Sequence, residues 1–143
     1  MAFNFKDQHA VGNAGEALFK AIYPRVTQTD GILFDFECGG KGIEVKTDSY
    51  SMNDTGNFFM EAVGSTGNGK LGGPWRAAKD NVEFFVYLYI KQKKFFWFRS
   101  KELAKFLDDY CKNLNPLSID NGTWVTLGYL VPRKDVQHLV VME

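Results

Sequence analysis

The sequence predicts an α/β fold, a sandwich in which helices flank a central mixed β-sheet. Three observations predict it. Residues from about Gly12 to Ile22 carry apolar side chains at helical spacing. Two short apolar segments farther on are joined by Gly39-Gly40-Lys41, as in a hairpin. Glu83 to Ile90 holds the nearly unbroken apolar run FFVYLYI, which suits a strand buried on both faces.

In the first helix Ala14, Leu18, Ala21 and Ile22 fall on one face, with Ala17 beside them, and Pro24 marks its end. Ile32 to Cys38 and Gly42 to Thr47 are the hairpin strands. Asn57 to Val63 is a third strand, and Gly64 to Gly73 is glycine-rich enough to read as a loop. Pro74 to Asn81 forms a short helix, with proline in the first turn, where its missing N–H costs no hydrogen bond. The run ending at Ile90 is the central strand, and Lys94 to Phe98 follows it. Ser100, Glu102 and Leu103 then open an amphipathic helix that uses Leu103, Phe106, Leu107 and Tyr110. Thr123 to Val131 and Leu139 to Met142 add short strand-like runs. A chain of 143 residues without repeat or linker reads as one domain, 1–143, with one site.

Composition narrows the function classes. Hydrophobic residues at 45% and charged residues at 24% belong to an ordinary globular protein and exclude a disordered one. No stretch approaches the roughly 18 to 20 apolar residues of a membrane helix. The start MAFNFKDQH has neither the basic lead nor the apolar run of a signal peptide, so a cytoplasmic protein without membrane contact is expected. Cys38 and Cys111 lie far apart without CxxC or Cys/His spacing, which argues against a disulfide framework and a zinc site. With only His9 and His138, a metal would rest on oxygen ligands and would be Mg²⁺ or Mn²⁺. The net charge of zero argues against a general nucleic-acid binder, but the charge is unevenly spread. Residues 1–66 hold nine acidic and five basic side chains, residues 67–105 three acidic and nine basic. A solvated surface has this asymmetry, and so does an acidic pocket beside a phosphate-gripping face.

The hairpin carries the chemistry. Side chains alternate along a strand, so Glu44 and Lys46 share one face while Ile43 and Val45 point the other way. A two-residue turn at Gly39-Gly40 sets Asp35 opposite Glu44, and one at Gly40-Lys41 sets it opposite Lys46. A three-residue turn sends Asp35 to the far face. Two carboxylates facing each other on a sheet are destabilising unless positive charge lies between them. Lys46 supplies one charge, and the pair beside it suits magnesium, which accepts one or two carboxylates with waters and phosphate oxygens. The plain alternative is that Glu44 and Lys46 form the wet face of an amphipathic strand.

Gly12-Asn13-Ala14-Gly15-Glu16, Phe34-Asp35 and Ile43-Glu44-Val45-Lys46-Thr47 together resemble the PD-(D/E)XK nuclease superfamily, which includes type II restriction enzymes, archaeal-type Holliday junction resolvases and many small phage nucleases. The motifs span residues 12–47. The resemblance implies a restriction-endonuclease-like α-β sandwich and a metal held by Asp35, Glu44 and the Val45 carbonyl. It makes Lys46 the catalytic lysine and Glu16 a ligand through water or for a second metal. It further implies a DNA substrate, branched DNA among the options, and a homodimer that pairs two sites. Phe34 stands where the family has proline, Asp30 is a rival for Asp35, and Glu61 is either a supporting group or an edge-strand charge. Asp48 and Ser49, just past Lys46 and Thr47, read as loop residues, with contact to metal waters or DNA as the alternative.

Gly64 to Lys70 also fits the first seven positions of a P-loop, and Gly67 to Gly72 fits GxGxxG. Both patterns need a helix at once, yet Leu71-Gly72-Gly73-Pro74 follows. As a DNA-facing loop the segment makes better sense: glycine amides approach phosphates closely, and Lys70, Arg76 and Lys79 add charge. Trp75 stacks on a base or packs in the core. The dense aromatics from Phe84 to Phe98 are expected in the core or at a dimer surface. The expected function is thus a metal-dependent endonuclease. The alternatives are a non-catalytic nucleic-acid-binding module of the same fold and, behind it, a nucleotide-binding protein.

Overall fold

The computed structural model describes residues 5–48, 56–65, 69–120, 122 and 124–143, with side chains from Ala10 onward and Ser65 excepted. Ser49, His9 and residues 66–68 of the glycine-rich segment therefore lie outside what is described in full. Helix α1 (Phe5–Ile22) leads into β1 (Thr27–Gln28), β2 (Phe36–Cys38), β3 (Lys41–Asp48), β4 (Asn57–Ser65) and β5 (Lys70–Leu71). Then come α2 (Gly73–Lys79), β6 (Phe84–Tyr89), β7 (Lys94–Arg99), α3 (Ser100–Tyr110), β8 (Leu117–Asp120), β9 (Val125–Pro132), α4 (Arg133–Val136), a short 3₁₀ turn and β10 (Val140–Met142).

The strands form two sheets. The larger has the order β1-β2-β3-β6-β7-β10 and is mixed, because β3 and β6 run parallel while the other pairs are antiparallel. The smaller, β5-β4-β9-β8, is antiparallel throughout. The predicted α/β sandwich holds, but a second sheet stands where one central sheet was expected. It arises because Asn57–Ser65 pairs with the C-terminal strand Val125–Pro132 rather than joining β3. No local signal announces so distant a partner.

β6 lies between β3 and β7 in the middle of the larger sheet, as its apolar run predicts. Its alternate side chains feed two cores. Phe85, Tyr87 and Tyr89, with Phe96 and Phe98 of β7, pack against Phe58 and Met60 of β4, Ala77 of α2 and Leu103 and Leu107 of α3. Val86 and Leu88, with Phe95 and Trp97, pack against Phe19 of α1, Phe36 and Ile43. Thus the aromatics are core, Phe84 being only partly buried.

Several local expectations are corrected. Helix α1 buries Gly15 and Phe19 and half-buries Leu18, whereas Ala14, Ala17, Ala21 and Ile22 are exposed, so the helix is rolled away from the predicted stripe. The large ring decides the roll, since Phe19 lies against Tyr23, Phe36, Phe95 and Trp97. Gly15 sits so close to Thr47 of β3 that a methyl group there would overlap its side chain. The strand predicted from Ile32 begins only at Phe36. The Thr29 amide and hydroxyl donate to the carbonyls of Asp35 and Phe34, and the Ile32 amide donates to Asp30 Oδ1, so a turn uses the groups a ladder would need. Beyond residues 66–68, the chain enters strand β5 at Lys70, and no helix starts there. Ser100 opens α3 without capping it, and its buried hydroxyl has no partner among the described residues.

Candidate functional site

The site grows out of the β2–β3 turn. Gly39 and Gly40 take φ of 60° and 80°, a left-handed pair that only a turn with two such residues requires and that glycine adopts without strain. That turn fixes the register Cys38↔Lys41, Glu37↔Gly42 and Phe36↔Ile43. It is the first of the registers considered, the one that brings Asp35 to Glu44. Asp35 stands just outside the ladder, its amide donating to the Ile43 carbonyl at 3.0 Å and its Oδ2 accepting from the Val45 amide at 2.9 Å. Its carboxyl group lies close enough to that of Glu44 to raise the Glu44 pKa.

Glu44 is largely buried, its side chain 17% exposed. Burial, the hydrogen bond to Asp35, the negative charge of Asp35 and, more weakly, that of Glu16 push its carboxyl up to about 9. Arg76 opposes the shift and does not overcome it. The guanidinium comes from α2: Nη1 donates to Glu44 Oε2 at 2.9 Å, Nη2 to the carbonyls of Ile32 and Leu33 at 3.0 and 3.1 Å, and Nε lies 3.5 Å from Asp80 Oδ2. The residue expected to grip phosphate is therefore turned inward onto the acid pair.

Lys46 is half-buried in register with Tyr87, on the face that carries Glu44. It makes no ion pair or hydrogen bond among the described residues, and Arg76 rather than Lys46 supplies the positive charge acting on Glu44. Glu16 accepts a hydrogen bond from Gln28 Nε2 at 3.4 Å. Asp30, exposed in its turn, does not join the pair. Glu61 of β4 lies over Gly72, where a β-carbon would meet its carboxylate at 2.6 Å. Asp48 accepts from the Tyr87 hydroxyl at 2.6 Å, and that hydroxyl accepts from the Phe59 amide at 2.9 Å. Lys70 and Lys79 are exposed on β5 and at the end of α2. Trp75 packs beside Tyr129, its Nε1 donating to Asp108 at 2.7 Å, so its indole serves the fold.

Among the described residues no three His, Cys, Asp or Glu side chains converge as a metal-binding group. The ligand set is therefore smaller than one with Glu16 in it. Asp35 and Glu44 still fit a divalent cation. They are two hard oxygen donors held together by the hairpin, and magnesium, which takes one or two carboxylates and completes its shell with water, would displace the proton that Glu44 otherwise keeps. No family model, curated protein or solved structure matches the chain. Among the described residues no helix is long and apolar enough to cross a membrane.

Proposed function

We propose that the chain is a Mg²⁺- or Mn²⁺-dependent endonuclease that hydrolyses DNA phosphodiester bonds, with branched DNA among its candidate substrates. The observation that carries this reading is the hairpin register that sets Asp35, anchored by the Val45 amide, beside Glu44, with Lys46 on the same face of β3. Asp35, steadied by the Val45 amide, and Glu44, steadied by Arg76, would hold the ion, with the Val45 carbonyl as a further oxygen. When bound, a divalent ion supplies positive charge to a phosphoryl oxygen and eases deprotonation of the attacking water. Lys46, with its amine uncommitted to another described group, stabilises the charge that develops on phosphate. Glu16 acts at longer range, and Lys70 and Lys79 contact phosphates beyond the cut. A homodimer pairs two such sites, one for each strand.

The test is cleavage of linear, flapped and four-way DNA in magnesium and in chelator, beside Lys46→Ala. The parent is expected to cut only with the ion. Lys46→Ala should stay folded and lose at least about 10²-fold in rate, as removal of a transition-state stabilising group does. A variant as fast as the parent removes Lys46 from the mechanism. One observation favours a second reading, a non-catalytic DNA-binding module: Arg76 already pairs with Glu44, as an internal counter-charge would. DNA binding that is indifferent to chelator, without cleavage, selects that reading.

A further inference from the structure

Arg76 uses all three guanidinium nitrogens, and each faces a different part of the fold. Nη1 reaches Glu44 on β3, Nη2 reaches two successive carbonyls at Ile32 and Leu33, and Nε reaches Asp80 at the end of its own helix. The segment it grips needs a grip. Ile32 and Leu33 are 73% and 58% exposed, so little packing holds them, and they line one wall of a cavity of about 330 Å³ shared with Asp30, Phe34 and Glu37. A guanidinium is suited to this task because its planar fork serves several acceptors at fixed angles, whereas an ammonium is a point charge.

We propose that Arg76 is the positioning residue of this site. It fixes Glu44 and the 32–33 segment as one unit and, as a built-in positive charge, keeps the affinity of the Asp35–Glu44 pair for a divalent cation below what two acids alone would give. The cation half of this proposal rests on the endonuclease reading, and the positional half does not. A single positive charge within 3 Å of a carboxylate oxygen repels an incoming divalent ion twice as strongly as the proton that the ion must displace from Glu44, so losing it strengthens the acids as ligands. A residue that only supported the fold would have the opposite effect, because loosened ligands bind metal more weakly.

The experiment is calorimetric titration of Mn²⁺ into the full chain, with amide exchange of residues 29–34 followed in parallel. Arg76→Gln is expected to bind Mn²⁺ about 3- to 10-fold more tightly than the parent, to exchange faster at 29–34, and to cut DNA at least about 10-fold more slowly. Arg76→Lys keeps the charge, so its Mn²⁺ affinity should stay within about twofold of the parent. Its 29–34 amides should still exchange faster, because one ammonium cannot serve Glu44 and both carbonyls together. Equal or weaker Mn²⁺ binding by Arg76→Gln overturns the proposal while the endonuclease reading stands. Should Arg76→Gln not fold, unchanged exchange in Arg76→Lys overturns it. A parent chain that binds no Mn²⁺ at millimolar concentration sinks the endonuclease reading and, with it, the counter-charge role.

Discussion

Glu44 bears the largest electrostatic cost in the site, and its sign can be tested without any substrate. Its carboxyl is pushed up to about 9, chiefly by burial and then by Asp35, so the folded protein favours the protonated acid. A group raised in the fold stabilises fully below its unfolded pKa and loses that stabilisation as pH rises through the folded value. In chelator, the thermal midpoint is therefore expected to fall between about pH 5 and pH 9, and Glu44→Gln should flatten that decline. A parent midpoint that rises across this window contradicts the coupling of the two acids. The pair was legible in the sequence because alternation along a strand and a glycine turn are local rules, and together they place Asp35 and Glu44. Arg76 was not, since its partner is 32 residues away on another element and α2 offers no pattern that aims it inward.

At the scale of elements, the approach of α1 to β3 is set by one missing methyl group. Gly15 faces the Thr47 side chain with no room for a β-carbon, and this contact sets the level at which the helix lies on the sheet. Gly15→Ala should destabilise the fold by about 1–3 kcal/mol through overpacking, measured by denaturant unfolding. Thr47→Ala should recover part of that loss in the double variant, and additive losses would place the clash elsewhere. The helix itself was legible from its period and its roll was not. Ala14, Leu18, Ala21 and Ile22 drew the stripe and only Leu18 of them packs on the core, while Phe19, ringed by aromatics from β2, β7 and the α1 end, determines which side faces inward. Likewise β6 and β7 stood out as apolar runs, whereas β8 (LSID) has an exposed, mixed pattern that no periodicity rule detects.

Across the whole molecule the two sheets are joined by tyrosine hydroxyls as well as by hydrophobic packing. Tyr87 of β6 donates to Asp48 and accepts from the Phe59 amide of β4, and Tyr89 donates to the Asn57 carbonyl. Burial, with Asp48 adding to it, holds the Tyr87 phenol in its protonated form well beyond the ordinary range. Tyr87→Phe leaves the Phe59 amide without its acceptor and should cost about 1–3 kcal/mol, read from a shift in the unfolding midpoint. A neutral substitution would mean that the Tyr87 hydroxyl adds nothing to the joining of the sheets. The α/β class was legible because helix and strand periods differ. The second sheet was not, since the β4–β9 pairing is a global choice.

The parallel pairing of β3 with β6 has a consequence in time. Asp35 and Val45 meet across ten residues of hairpin, while Arg76 and β6 reach Glu44 only after β4, β5 and α2 have been laid down. Short loops close sooner than long ones. A chain emerging from the ribosome therefore brings its two acids together first and carries them unneutralised until the arginine arrives, so the counter-charge is a late arrival in the assembly of its own site.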